Sequence, residues 1–276
     1  MEYRDIVFEK IDGVAWVTIN RPQVLNAFRE RTLDELIDAI GSVNFDPAIG
    51  VVVVTGAGDR AFSAGGDFKS MMKLNRQNGH LWNNRMIGLA TTIRGLGVPV
   101  IAMVNGWCMG GGNELQLMCD LTIASDQAHF GQTGARVGAC PVMGATQYLP
   151  RLVGEKKAKE MIFICDRYTA QQALEMNLIN KVVPREKLRE ETESWCRKIL
   201  ANSPQTIRYC KISMQFESDQ LHASWAHGSE LLSVVWGSDE SLEGMRAFME
   251  KRAPDFARFR ERNQQAVSQW ERGLES

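Results

Sequence analysis

Two glycine-rich segments carry the residue types from which chemistry can be built. The first is Ala61-Phe-Ser-Ala-Gly-Gly-Asp67, which follows the apolar run Val51–Thr55. The second is Asn105-Gly-Trp-Cys-Met-Gly-Gly-Gly-Asn-Glu-Leu115, which follows Val98–Val104. Each reads as a strand, a glycine turn and a helix start. A helix start exposes unpaired N–H groups at the positive end of its dipole, and glycine lets a ligand approach the main chain closely. Two such turns facing one another would offer two N–H donors to one oxygen, the arrangement that stabilises an oxyanion as its charge develops. The plainer alternative is that these glycines only permit tight strand–helix packing.

Glu114 lies three residues after Gly111, so both fall on one face of the helix start. A carboxylate there can reach the atom beside a carbonyl held by the Gly111 N–H, and act as general acid or base or activate a water. A Glu at the third helical position is equally a common capping residue, and spacing alone leaves both readings open. Gly56-Ala-Gly-Asp-Arg-Ala61 has the form G-x-G-x-x-A. However, Phe62-Ser-Ala-Gly-Gly interrupts the helix that a dinucleotide fold needs, and no strand ending in an acid lies near His80. Neither a G-x-x-x-x-G-K-[ST] nor a G-x-S-x-G motif occurs, and no His–Asp pattern supports a serine triad around Ser63.

The elements that must position these residues alternate in type. Strand candidates are Ile6–Ile11, Val14–Asn20, Val51–Thr55, Val98–Val104 and Leu121–Ser125, rich in β-branched residues. Between them, residues 31–43 place Leu33, Leu36, Ile37 and Ile40 on one helical face, and further helices are expected over about 81–96 and 113–118. Alternation of this kind predicts an α/β domain. After about Ala145 the pattern is mostly helical: 145–152, 155–164, 170–176, 185–201, 204–216, 220–235 and 241–250. A soft boundary falls near residue 200, dividing an α/β core (1–200) from a helical C-terminal part (201–276). No repeat of fixed period is present.

Composition narrows the classes. The 276 residues, 44% hydrophobic, suffice for a real core. With 32 Lys+Arg against 33 Asp+Glu, no strong field draws nucleic acid or anionic membranes, so neither is expected as a partner. The apolar runs are too short to span a bilayer. The N-terminus Met1-Glu-Tyr-Arg-Asp is charged, so no signal peptide is expected. Six cysteines without a Cys-x-x-Cys read as reduced residues of a cytoplasmic protein. Four histidines without ligand spacing make a metal site unexpected.

Ala61–Lys69 and Val104–Asp120 resemble the two signature stretches of the enoyl-CoA hydratase/isomerase (crotonase) superfamily. Asn20-Arg-Pro-Gln-Val-Leu-Asn-Ala27 is similar to its N-terminal segment, and His129-Phe-Gly-Gln132, Thr146-Gln147 and Ala170–Val183 are similar to further stretches. The likeness runs from about residue 4 to 256. It implies a crotonase-like spiral of ββα units followed by a helical C-terminal trimerisation region, in homotrimers or dimers of trimers. It also implies an acyl-CoA thioester substrate and no cofactor beyond the coenzyme A of that substrate. By position, Gly66 and Gly111 would supply the oxyanion N–H groups, with Glu114 as the catalytic acid. Val24, Leu25, Ala27, Ala64, Gly65, Asp67, Phe68 and Gly110 would line the adenine, pantetheine and acyl path. Lys69, Phe248 and Lys251 would lie near phosphate, with a neighbouring subunit as one source of the last two. Gly134, Val137, Pro141 and Trp236 would border the acyl group.

The chain also departs from that pattern. The second glutamate of a two-carboxylate hydratase would fall at Gly134. Gly131–Val137, Gly13-Val-Ala-Trp-Val, Gly56–Phe62, Gly154-Glu-Lys-Lys-Ala158 and Asp239–Phe256 resemble the naphthoate synthase and 2-ketocyclohexanecarboxyl-CoA hydrolase subgroup. That subgroup's aspartate would align near Pro141 and its tyrosine near Trp236, and neither is present. Cys140–Gln147 is instead similar to the ordinary hydratase segment. The resemblance thus implies a hydratase-type lyase working with one glutamate. The alternatives are a C–C hydrolase of a cyclic β-oxoacyl-CoA and a non-catalytic acyl-CoA-binding protein. Glycine at 134 is expected to open space for a ring-type or bulky acyl group.

Overall fold

The structure, a computed structural model, describes residues 2–274. Its main sheet has six strands: β1 (Ile6–Ile11), β2 (Val14–Ile19), β3 (Val51–Gly56), β5 (Val100–Val104), β7 (Leu121–Ser125) and β10 (Lys181–Val183), hydrogen-bonded in that spatial order. The hairpin β1–β2 is antiparallel and every later pair is parallel. Both faces of this sheet are covered. Ala15, Val17, Val52, Val54, Ala102 and Ala124 point into the main core. Val14, Trp16, Val51, Val53, Ile101 and Ile123 point the other way, under helix α8 (Leu188–Leu200) through Leu188, Cys196 and Trp195. Burial on both sides explains why β3 reads as an unbroken apolar run rather than an alternating one. Each fully buried Val or Ile contributes about 1.5–3 kcal/mol.

The second sheet is small: β4 (Ala61–Ser63), β6 (Trp107–Met109), β8 (His129–Gly131) and β9 (Tyr168–Thr169). The chain lays β3 in the large sheet and β4 in the small one, then returns through helices α2 (Phe68–Met71) and α3 (Gly79–Gly95). It repeats the step with β5, β6 and α4 (Gly111–Met118), and again with β7 and β8. These are successive ββα turns. Strands β4, β6 and β8 run parallel to one another. Their C-terminal ends therefore lie side by side, and three connections leave from one edge: residues 64–67, residues 110–111 and residues 132–134.

Two sequence expectations change. The strand expected from Val98 begins at Val100, because Pro99 has no N–H for the ladder; its carbonyl accepts from Val52 instead. The four strands of the small sheet, β10, α2 and the helix α12 (Ala257–Leu274) are additions to the expected elements.

Helices α1 (Glu30–Ser42), α5 (Ala145–Val153), α6 (Glu155–Ile164) and α7 (Ala170–Glu175) complete the core, and α9 (Pro204–Asp219), α10 (His222–Val235) and α11 (Asp239–Met249) lie over it. Buried Lys211 on α9 donates to Asp120 Oδ2 at 2.7 Å and to the carbonyls of Ile93 and Val98. Buried Asn83 on α3 donates to Ser229 O at 2.8 Å and accepts from Trp236 Nε1 at 3.0 Å. Among the described residues no helix is long and apolar enough to cross a membrane.

Candidate active site

The turn after β4 is shaped by its neighbours. Gly65 has φ +91°, a conformation that L side chains rarely adopt. Its N–H is taken by the Ser63 hydroxyl at 3.1 Å. Phe28 forms a parallel bridge with Gly66, donating to Gly65 O and accepting from Asp67 N, both at 2.7 Å. In such a bridge the N–H of Gly66 itself points away from Phe28. The turn after β6 faces it. Gly110 has φ +53° and is tied to β8 by its N–H donating to Gly131 O at 2.9 Å. Gly111 then opens α4, whose first N–H groups have no helical acceptor. A Cβ added to Gly65 would sit 2.8 Å from Gly111 N, so the two turns are in direct contact. Neither Gly66 N–H nor Gly111 N–H has an intramolecular acceptor among the described residues.

Glu114 is the fourth residue of α4 and is 4% exposed. Its Oε2 accepts from Met143 N at 2.5 Å, so the carboxyl reaches across to residues 139–143 instead of back to the helix start. The capping alternative is thereby removed. Burial pushes its pKa up to about 8, against the opposing backbone hydrogen bonds of Met143 and Val142. A carboxyl that titrates near neutrality inside a cavity is suited to proton transfer.

A cavity of about 60 Å³ lies beside the carboxyl, room for a few water-sized groups. Ala64, Gly66, Phe68, Gly110, Gly111, Glu114, Gly134, Val137, Pro141 and Trp236, ten of the residues expected at the site, line it together. Val24, Leu25 and Ala27 lie beside it on the loop that pairs with the first glycine turn, where Ala64 N donates to Leu25 O at 3.0 Å. Arg21 fastens that loop, donating to Ala27 O and to Asp67 Oδ2. Asp67 also caps α2 through Lys69 N at 3.0 Å, so its carboxylate is engaged internally. Phe248, for which a neighbouring subunit was one expected source, packs edge-on to Phe68 within the same chain, ring centroids 4.8 Å apart. Lys69 and Lys251 are exposed, and Lys251 sits in a left-handed turn after α11.

One expectation is overturned. Gly134 does not open space, because a Cβ there would meet Ala139 O at 2.6 Å; the segment 139–141 already fills that room. Among the cavity residues without an assigned role in the sequence reading, two bear on the chemistry. Gln132, which follows β8, is 1% exposed, and its Nε2 has no partner. The only hint was its place in His129-Phe-Gly-Gln132. Cys140 is the other; its thiol pKa is raised by burial and by the charge of Glu114. Among the described residues no group of three or more His, Cys, Asp or Glu is placed to hold a metal ion.

Residues 9–259 match the family model described as enoyl-CoA hydratase/isomerase. Among solved structures, an enoyl-CoA hydratase from Mycobacterium avium subsp. paratuberculosis K-10 superposes with TM-score 0.85 at 27% identity, over 92% of this chain and 99% of that one. An enoyl-CoA hydratase from Bacillus anthracis is 32% identical with TM-score 0.75, over 91% and 98% of the two chains. An enoyl-CoA hydratase/isomerase from Xanthobacter autotrophicus Py2 is 30% identical with TM-score 0.83, over 90% and 94%.

Proposed function

The chain belongs to the enoyl-CoA hydratase/isomerase family, and from that premise we propose that it is an acyl-CoA lyase adding water to, or removing it from, an α,β-unsaturated acyl thioester. The observation that carries this reading is a buried carboxyl with a pKa near 8 beside two unclaimed N–H groups. The N–H groups of Gly66 and Gly111 hold the thioester oxygen. In dehydration, the Glu114 carboxylate takes the α-proton, and the electrons of the broken C–H bond form an enolate whose charge rests on the held oxygen. The enolate re-forms its carbonyl, the C–O bond to the β-hydroxyl breaks, and the proton on Glu114 leaves with that oxygen as water. Hydration is the reverse, with water losing its proton to the carboxylate as it attacks the β-carbon.

Both directions start from ionised Glu114. Activity is therefore expected to rise with pH along one limb with an apparent pKa near 8, because the base must be deprotonated before either proton transfer begins. Turnover of enoyl-CoAs by Glu114→Gln is the decisive experiment, and undiminished activity would remove the role.

The compact cavity favours a short, flat acyl group over a ring. Pro141 and Trp236 give it apolar walls where a ring-forming relative would be expected to carry an acid and a phenol. The coenzyme A portion would run past Val24, Leu25, Ala27 and Gly65 to the Phe68–Phe248 pair, with Lys69 and Lys251 toward phosphate. Assembly as a trimer or dimer of trimers belongs to the same reading. The exposed apolar residues Met214, Phe216, Leu231 and Val234 on α9 and α10 offer a surface for it, and sedimentation equilibrium measures it directly.

A further inference from the structure

We propose that Gln132 is a substrate-binding residue whose Nε2 donates a hydrogen bond to the oxygen on the β-carbon of the acyl group, an inference that rests on the lyase reading above. The side chain is 1% exposed and lines the same cavity as Glu114 and Gly111. Its Nε2 has no partner among the described residues. A buried donor without an acceptor is destabilising, and persists where a ligand supplies the missing partner. Gln132 is also the first residue after β8, and Gly110 N–H bonds to the residue before it, so the amide is anchored against the turn that presents Gly111.

The chemistry needs such a donor. A water about to attack the β-carbon gives its proton to Glu114, and its oxygen must be held while it does so. Glu114 accepts only, in the form that starts the reaction. Gly134 supplies no carboxyl, and a side chain there meets Ala139 O. Gln132 is the remaining cavity side chain with a free amide donor. It transfers no proton. It orients the attacking water in one direction and the departing hydroxyl in the other, and Glu114 carries the proton throughout. A site built around a donor for a substrate oxygen discriminates against analogues that lack it.

The test uses ligands that differ only at that oxygen. In a Glu114→Met background, which removes the proton-transfer group and adds no donor to the cavity, 3-hydroxybutyryl-CoA is expected to bind about tenfold or more tightly than butyryl-CoA by calorimetry. Adding Gln132→Met should abolish that advantage while leaving the butyryl-CoA affinity within about twofold, a split that a purely structural role would not produce. Gln132→Asn, which keeps the amide but withdraws it, should behave as Gln132→Met and serves if the latter fails to fold. Equal affinities in the Glu114→Met background, or an advantage that survives removal of the amide, would overturn the assignment. Absence of binding by either thioester would instead sink the acyl-CoA reading itself, and this inference with it.

Discussion

Replacing Glu114 with Gln separates the two consequences of burying an acid. The wild-type carboxyl has a pKa near 8 in the folded protein against an ordinary value of 4.5. Between those values the folded state holds a proton that the unfolded state has released. Stability contributed by this group is fully present below pH 4.5 and is lost as pH rises toward 8, by roughly 1.4 kcal/mol per pH unit. From pH 5 to pH 8 the wild type should thus lose about 4 kcal/mol relative to the Gln variant, which has nothing to titrate there. The variant carries a cost of its own. The amide oxygen can accept from Met143 N, but the new NH₂ lies unpaired in a buried site, a penalty of about 1–3 kcal/mol that is independent of pH. The two stability curves should therefore cross, with the wild type more stable near pH 5 and the variant more stable near pH 8. Urea unfolding of both proteins at one fixed concentration, at each pH unit from 5 to 9, measures the difference. Turnover measured on the same samples should fall roughly 10²–10⁴-fold. Parallel curves over pH 5–8 would show that Glu114 is not the high-titrating group, and the proposed proton transfer would lose its physical basis.

Gly112→Ala should destabilise the protein by about 1–3 kcal/mol and reduce activity, because its Cβ would fall against Ser63 O and force α4 off β4; differential scanning calorimetry with steady-state kinetics reports both. Gly134→Glu, which restores a second carboxylate on paper, should abolish activity instead of raising it, since its Cβ meets Ala139 O at 2.6 Å and displaces the segment that holds Glu114; a faster enzyme would contradict this geometry. Iodoacetamide should modify Cys140 slowly at pH 7 and faster as pH rises, because its thiol pKa is raised, and the adduct should block turnover. Both Cys140 and Cys210 are exposed, but only Cys140 lines the cavity, so butyryl-CoA should protect Cys140 and not Cys210, a difference that peptide mass mapping reads directly.

Much of the large sheet and most helices are legible in the sequence, because long elements repeat their period. Val51–Thr55 and Leu121–Ser125 are apolar runs bounded by turns, and Leu33, Leu36 and Ile40 mark a helical face. The small sheet is not legible. Its strands are two or three residues long, and Trp107-Cys-Met109 has no period to detect. They form because the ββα turns stack, which is a property of the assembled spiral. Helix α12 is not legible because Ala257–Leu274 is mostly polar, with few apolar residues to mark a face. At the site, the glycine turns and Glu114 were legible as residue types in a suggestive order. The contact that rules out the cap is not, since Met143 lies 29 residues from Glu114. The same holds for Gly134. Its missing side chain suggests room, and only the position of Ala139 O shows that the room is filled.

The donors at Gly66 and Gly111 belong to the main chain, and that changes what mutation can do to them. A catalytic side chain can be deleted by many single substitutions, but an amide proton is lost only when proline replaces the residue that carries it. Every other replacement keeps the donor and can harm it only by moving the turn. The cavity side chains Gln132, Cys140 and Pro141 sit on the third connection and its continuation, and are individually replaceable. A scaffold divided in this way can acquire a different acyl preference by altering one loop, while the proposed hold on a negatively charged thioester oxygen survives the change.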